Sequence, residues 1–256
     1  MIKAIFMDLD DTLLRSDKTI SDYTMQILQK CREKGILIGF CTARGESCTQ
    51  YFLDMAHPDI WITSGGSLAK YRGEIFYENP LSVEETQLLL DCGRTMPGGP
   101  YVMGVDTKKG YYRNDEGKVS PDWGEVFRTD FVDFGQEAMR FLIVSADEQI
   151  VADLTQKVEN CNYLNFLNSN WYRISKNGAT KENAIAKAGE FLGIKPEEMI
   201  AFGDDYGDMG MLKFCGIGCA MANHVPGVEK AADVVIGSHN EDGVAHFLEE
   251  YVLGRQ

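Results

Sequence analysis

Apolar and polar positions follow two different periods along this chain of 256 residues. Residues 2–9 and 36–41 are short, almost unbroken apolar runs, the pattern of strands buried on both faces. Between them Tyr23, Ile27 and Cys31 recur at i, i+4 and i+8 behind Ser21. That spacing predicts a helix over 21–34, capped by Ser21 and stopped by Gly35. A helix from about 46 to 55 and a short strand over 60–63 are expected next. Strands of this kind alternating with amphipathic helices predict a parallel sheet with helices on both faces.

The rhythm changes near residue 80. Residues 68–77 read as a hairpin, 82–95 as a helix and 96–100, with two Pro and two Gly, as a breaker. Strands are expected over 101–105, 110–113, 140–145, 163–167 and 171–174, with a helix over 147–159. Tyr101, Tyr111, Tyr112, Phe127, Phe131, Phe134, Trp171 and Tyr172 are expected to form the core of this part. From Thr180 the earlier rhythm returns. Helices are expected over 181–192, 208–214, 225–230 and 241–253, and strands over 199–202, 216–221 and 233–236. The chain therefore reads as an α/β core over 1–80 and 180–256, interrupted by an α+β insert over 81–179.

Composition narrows the function. A net charge of −14 argues against a protein that grips nucleic acid, whose affinity rests on clustered Lys and Arg. The seven Cys form no C-x-x-C pair, which removes support for a zinc ribbon or a dithiol redox motif and fits a reduced cytoplasmic setting. No leader or membrane segment is expected, since the apolar runs are strand length. The pair Gly216 and Gly218 lacks the third glycine of a dinucleotide fingerprint, and neither a P-loop nor a G-x-S-x-G elbow is present.

Three acidic clusters carry the candidate chemistry: Asp8 with Asp10, Asp204 with Asp205, and Asp208. The first two follow predicted buried strands directly, with Asp208 a few residues further on. The carboxyl ends of strands in an open parallel sheet line its ligand crevice. A lone Asp after a strand is usually a turn former or helix cap, and Asp17, Asp22 and Asp147 are read that way. Several carboxylates converging from distant strands need a cation, and hard oxygen ligands favour Mg²⁺.

At these residues the chain resembles a family. Asp8-Leu9-Asp10-Asp11-Thr12-Leu13 is similar to the D-x-D-x-T-L motif of haloacid-dehalogenase-like phosphatases. Thr42 resembles the second motif, Lys181 the third, and Gly203-Asp204-Asp205-Tyr206-Gly207-Asp208 the fourth. Order and spacing resemble the Cof-type subfamily, whose large α+β cap (type IIB) lies between the second and third motifs. The resemblance implies a Rossmann-like core and a Mg²⁺-dependent phosphatase acting on small phosphomonoesters, sugar phosphates or related metabolites. The implied catalytic set is Asp8 as nucleophile, Asp10 as general acid and base, Thr42 and Lys181. The implied metal set is Asp8, Asp10 through its backbone carbonyl, Asp204 and Asp208. Phosphate contacts are expected from Leu9, Thr42, Ala43, Arg44 and Lys181, with Gly207 and Asn223 counted beside them; Arg44 is equally read as an internal partner of the acidic cluster. The alternatives are a phosphomutase or phosphotransferase, and a weakly catalytic phospho-ligand-binding regulatory protein. Three positions depart from the subfamily pattern: Asp11 and Gly65 stand where Gly and Asn are usual, and Gly207 replaces an Asn.

Overall fold

The computed structural model describes residues 1–99, 101–118, 124–166 and 169–254. Pro100 of the predicted breaker and Leu167 of a predicted strand lie outside the described residues. The strands, in chain order, are β1 (Ala4–Met7), β2 (Leu37–Cys41), β3 (Ile60–Thr63), β4 (Leu68–Tyr71), β5 (Glu74–Glu78), β6 (Met103–Thr107) and β7 (Gly110–Arg113). They continue with β8 (Val126–Arg128), β9 (Arg140–Val144), β10 (Cys161–Asn165), β11 (Trp171–Lys176), β12 (Met199–Gly203), β13 (Ile217–Ala220) and β14 (Val234–Val235). The helices are α1 (Asp22–Glu33), α2 (Gln50–Ala56), α3 (Val83–Thr95), α4 (Glu148–Thr155), α5 (Lys181–Leu192), α6 (Met209–Phe214) and α7 (Gly243–Phe247).

These elements divide between two units: residues 1–43, 56–77 and 180–256 in the first, 44–55 and 78–179 in the second. In the first unit the strand order is β14-β13-β12-β1-β2-β3-β4-β5. The strands from β14 to β3 run parallel, and β4 is antiparallel to β3. All four residues of β1 and all five of β12 are buried. Their near-continuous apolar composition has its reason in this double coverage. Ala4, Phe6 and Ala201 pack with Ala184, Ile185 and Ala188 of α5 and Met211 and Leu212 of α6. On the other face Phe202 meets Phe247 of α7 edge-on at 5.7 Å, and α1 packs against α7. No helix among the described residues is long and apolar enough to cross a membrane.

The second unit has a six-stranded sheet in the order β10-β11-β9-β6-β7-β8. Its pairs are antiparallel except β7 with β8. Phe131 and Tyr172 are buried in its core with Val105, Phe141 and Ile143, and Tyr101, Tyr112 and Phe134 pack against them. Tyr111 is buried beside Cys48 and Leu142, while Phe127 stacks on Tyr112 from the exposed side.

Several local expectations change. The segment 44–55, expected in the core, clusters with the second unit and begins with a 3₁₀ turn over Glu46–Cys48 before α2. Gly45 lies against Asp106, where any Cβ would overlap the carboxylate. The expected helix over 225–230 is a 3₁₀ turn, Val228–Ala231, because Gly227 adopts a left-handed φ of 103°. The expected closing helix is broken at Asp242, whose φ is 57°, into a 3₁₀ turn (His239–Glu241), α7 and a wider final winding.

The largest buried side chain of the second unit is Arg140 on β9, ion-paired to Asp106 on β6. Removing Asp106 takes a close counter-charge from the buried Arg140 guanidinium. Asp106→Ala is expected to cost about 3–5 kcal/mol in chemical denaturation, and Asp106→Leu with Arg140→Met together considerably less. Equal losses in the single and double variants would contradict this account.

Candidate active site

The chain leaves β1 at Asp8, whose backbone N–H donates to the Phe202 carbonyl at the end of β12 at 3.0 Å. Asp8 and Asp204 are thereby fixed at the carboxyl ends of adjacent parallel strands. Beyond Asp8 the residues Leu9–Leu13 make one wide turn, closed by the Leu14 N–H on the Leu9 carbonyl at 2.8 Å. Leu9 is buried and anchors this turn. Asp11 within it has φ 56°, a left-handed conformation that Asp tolerates better than most residues.

Lys181 is the first residue of α5, behind the N-cap Thr180. Its buried ammonium donates to Asp8 Oδ1 and to Asp208 Oδ1, each at 2.6 Å. The other oxygen of Asp208 accepts the backbone N–H groups of Asp204 and Asp205, at 3.0 and 3.1 Å. Asp204 Oδ1 accepts the Thr12 hydroxyl at 2.9 Å. Carboxylate oxygens of Asp8, Asp204 and Asp208 lie within 4.8 Å of one another, and all three residues are buried.

Two glycines make this approach possible. A Cβ on Gly203 would overlap the Asp208 side chain, and one on Gly66 (φ 103°) would overlap the Thr180 carbonyl. Gly66 therefore has a packing role beside the start of α5. Thr42 is buried at the end of β2. Its N–H donates to Ile62 and its carbonyl accepts from Gly65, at 2.9 and 3.0 Å, tying the ends of β2 and β3 together. Ala43 follows it, half-buried.

Asp10 is half-buried and its Oδ1 accepts from Lys18 Nζ at 2.8 Å. Its carboxylate is not among the three that cluster. Arg44 is buried in the second unit, its guanidinium 5.2 Å from the centre of the Phe52 ring. Gly207 has open space where a side chain would stand. Asn223 uses its amide internally, donating to the Asp11 carbonyl at 2.8 Å and accepting the His239 N–H at 3.1 Å. Thr12 and Lys18 were missed as partners of the acids. Thr12 had a signal, its fixed place two after Asp10; Lys18 had none in spacing or pattern.

Electrostatics sets what this cluster can hold. Burial pushes the Asp8 carboxyl well above its ordinary range; Lys181 opposes that, and the charges of Asp208 and Asp204 add to it. Burial, then the charge of Asp208, pushes Asp204 up to about 7, against the Thr12 hydroxyl. Burial works against the Lys181 charge, but Asp208 and Asp8 outweigh it and raise its pKa. Asp8 and Asp208 share one ammonium and Asp204 stands beside them, so with all three ionised negative charge is in excess among these groups. A hard divalent cation among these oxygens fits both the donor set and the deficit.

The comparisons with known proteins agree on one family. A family model described as haloacid dehalogenase-like hydrolase matches residues 5–248. A putative phosphatase of Haemophilus influenzae is 28% identical over 268 residues, covering 98% of each chain. A 5-amino-6-(5-phospho-D-ribitylamino)uracil phosphatase of Bacillus subtilis is 28% identical over 255 residues, covering 98% of this chain and 96% of that protein. The crystal structure of a haloacid dehalogenase-like hydrolase from Bacteroides thetaiotaomicron is similar with a TM-score of 0.84 at 25% identity, over 97% of this chain and 99% of the other. A sugar phosphatase of subclass IIB shares the fold, with a TM-score of 0.83 at 22% identity, over 97% and 98%.

An unfolded carboxyl titrates near 4, roughly three units below Asp204 in the fold. The folded, metal-free protein therefore binds this proton more tightly than the unfolded chain. The resulting stabilisation is full below about pH 4 and lost as pH rises through about 7. Thermal melts in chelator should show stability falling from about pH 4 to 7, and Asp204→Asn should flatten that fall. A divalent cation at about one hundred times its dissociation constant should restore about 2.7 kcal/mol at neutral pH in the parent protein and less in the variant.

Proposed function

Since the chain belongs to the haloacid dehalogenase-like hydrolase family and is a phosphatase hydrolase, we propose that it is a Mg²⁺-dependent phosphatase of small phosphomonoesters, working through an aspartyl-phosphate on Asp8. The observation that carries this reading is the buried Lys181 ammonium held 2.6 Å from both Asp8 and Asp208, with Asp204 beside them. Sugar phosphates and related metabolites are the proposed substrates. The phosphatases named among the relatives and the sugar phosphatase sharing the fold support that class.

In this reading an Asp8 oxygen bonds to phosphorus as the ester P–O bond breaks. Asp10 gives its proton to the leaving oxygen, and its carboxylate then takes a proton from the water that attacks phosphorus. That attack frees Asp8 and inorganic phosphate. Lys18, 2.8 Å from Asp10, is the near charge that bears on this proton. Lys181 orients the Asp8 carboxylate and favours its ionised form, opposing the larger effect of burial. The Thr42 hydroxyl and the backbone N–H groups of Leu9 and Ala43 are the proposed donors to phosphate oxygens. Asp8, Asp204, Asp208 and the Asp10 carbonyl would hold Mg²⁺, which would supply positive charge to the phosphate oxygens and the carboxylates.

The domain reading belongs to the same proposal: residues 1–80 and 180–256 are the catalytic core and 81–179 an inserted cap that selects substrate. Support comes from the division of the chain at 77/78 and 179/180. The excess of acid in the chain and its apolar runs of strand length support a cytoplasmic enzyme acting on small molecules rather than on nucleic acid or a membrane.

Phosphate release from an aryl phosphate tests the reading. Turnover should require Mg²⁺. Asp8→Asn should lower kcat by about a thousandfold or more, and Lys181→Met by about a hundredfold or more. Undiminished turnover by Asp8→Asn would overturn the assignment of the nucleophile.

A further inference from the structure

The peptide between Asp11 and Thr12 is held from outside its own loop. Asp11 carries a side chain at φ 56°, where glycine is the residue without strain. Its carbonyl accepts the Asn223 side-chain N–H₂ at 2.8 Å, and Asn223 Oδ1 accepts the His239 backbone N–H at 3.1 Å. One amide thus has its donor and its acceptor both engaged, so its orientation is determined by its partners. The far end of the loop is gripped by the same turn. Asn240 Oδ1 accepts the Ser16 N–H at 3.0 Å and Asn240 Nδ2 donates to Ser16 Oγ at 2.9 Å. His239 Nε2 lies 3.0 Å from Ser16 Oγ and 3.6 Å from Asp11 Oδ1. Arg15 pairs with Asp242 at 2.6 Å. Residues from 223 and 238–242 therefore close both ends of the segment that begins at Asp10.

We propose that Asn223, braced by the turn at His239–Glu241, is a positioning residue that fixes the Asp11–Thr12 peptide, holds Asp11 in its left-handed conformation and through it aims the neighbouring Asp10 carboxyl at the leaving group. This rests on the reading of Asp10 as the general acid. Without the bond to Asn223 the Asp11–Thr12 peptide is free to rotate, Asp11 relaxes toward conformations with less strain, and Asp10, joined to it, turns away from its place. The neighbouring Asp8, fixed by its bond to the Phe202 carbonyl, stays in place. Loss of Asn223 therefore impairs protonation of the leaving group more than attack on phosphorus.

A leaving-group series reads that difference. Phenyl phosphate expels a poorly stabilised phenoxide and depends on the acid; 2,4-dinitrophenyl phosphate expels a stable one and does not. Asn223→Ala is expected to lower kcat about tenfold or more on phenyl phosphate and less than about threefold on 2,4-dinitrophenyl phosphate, with KM nearly unchanged. Asn223→Asp, which keeps the acceptor for His239 but cannot donate to the Asp11 carbonyl, should behave alike and carries the test if the alanine variant folds poorly. Asp11→Gly in the Asn223→Ala background should recover part of the phenyl phosphate rate by removing the strain. Equal losses on both esters, or no loss on either, would overturn the proposal. Asp10→Asn is the control for the underlying reading: if it lacks the leaving-group bias, the acid assignment falls and the positioning role with it. If it shows the bias and the Asn223 variants do not, the positioning role alone falls.

Discussion

A buried ammonium shared between two carboxylates governs the chemistry of this fold. Lys181 can occupy that place only because several independent conditions are met at once. It must be the first residue of α5, so Thr180 caps the helix one position earlier. The chain at Gly66 must come closer to Thr180 than any side chain would allow. Asp208 must reach back over Gly203, and its second oxygen must be satisfied by two backbone N–H groups. A buried ion pair with unsatisfied remaining valences would cost more in desolvation than its attraction returns. Here the second oxygen of Asp208 is satisfied by the backbone of the β12 loop, so the lysine, this acid and the loop that carries it form one dependent arrangement.

The turn after β1 illustrates how the fold sustains a local conformation that its sequence disfavours. Asp11 in a left-handed conformation costs more than glycine would. The wide Leu9–Leu13 turn persists because Leu9, Thr12, Leu13 and Leu14 are buried and because the Asn223 side chain, more than 200 residues away in sequence, donates to the Asp11 carbonyl. Strain in one short loop is thus offset by packing and hydrogen bonds in elements distant in sequence, and the offset falls next to the acids that carry the proposed chemistry.

What could be read in the amino-acid sequence follows from the same physics. The strands that bear Asp8 and Asp204 were legible because full burial on both faces demands unbroken apolar runs. A lone acid after such a run is usually a turn former; these acids stood out because they recur after two distant runs in one motif order. The C-terminal helix was misjudged because its break at Asp242 is made by tertiary partners: Arg15, Ser21 and Thr24 all bond its carboxylate. No local pattern announces that. The placement of 44–55 with the second unit was equally hidden, since the tight approach of Gly45 to Asp106 joins residues sixty apart. Asn223 was counted among the phosphate contacts from its resemblance alone; its amide is instead engaged with Asp11 and His239. Lys18 had no signal because its contact with Asp10 depends on a reversal of the chain at Lys18 itself, φ 63°.

The electrostatics of the cluster also constrains how it meets an anion. A phosphate dianion approaching Asp8 adds charge to a site where carboxylates already exceed the ammonium. At about 4 Å two like charges repel by about 4 kcal/mol even at an intermediate effective dielectric of about 20. Lys181 cannot absorb that repulsion alone, since both Asp8 and Asp208 already claim it at 2.6 Å. A cation among Asp8, Asp204 and Asp208 and an anion at Asp8 each lower the cost of binding the other, and that coupling is reciprocal by thermodynamic necessity. For the proposed reaction this coupling favours a doubly charged ester over a neutral one, because the site is most stable when positive and negative ligands arrive together.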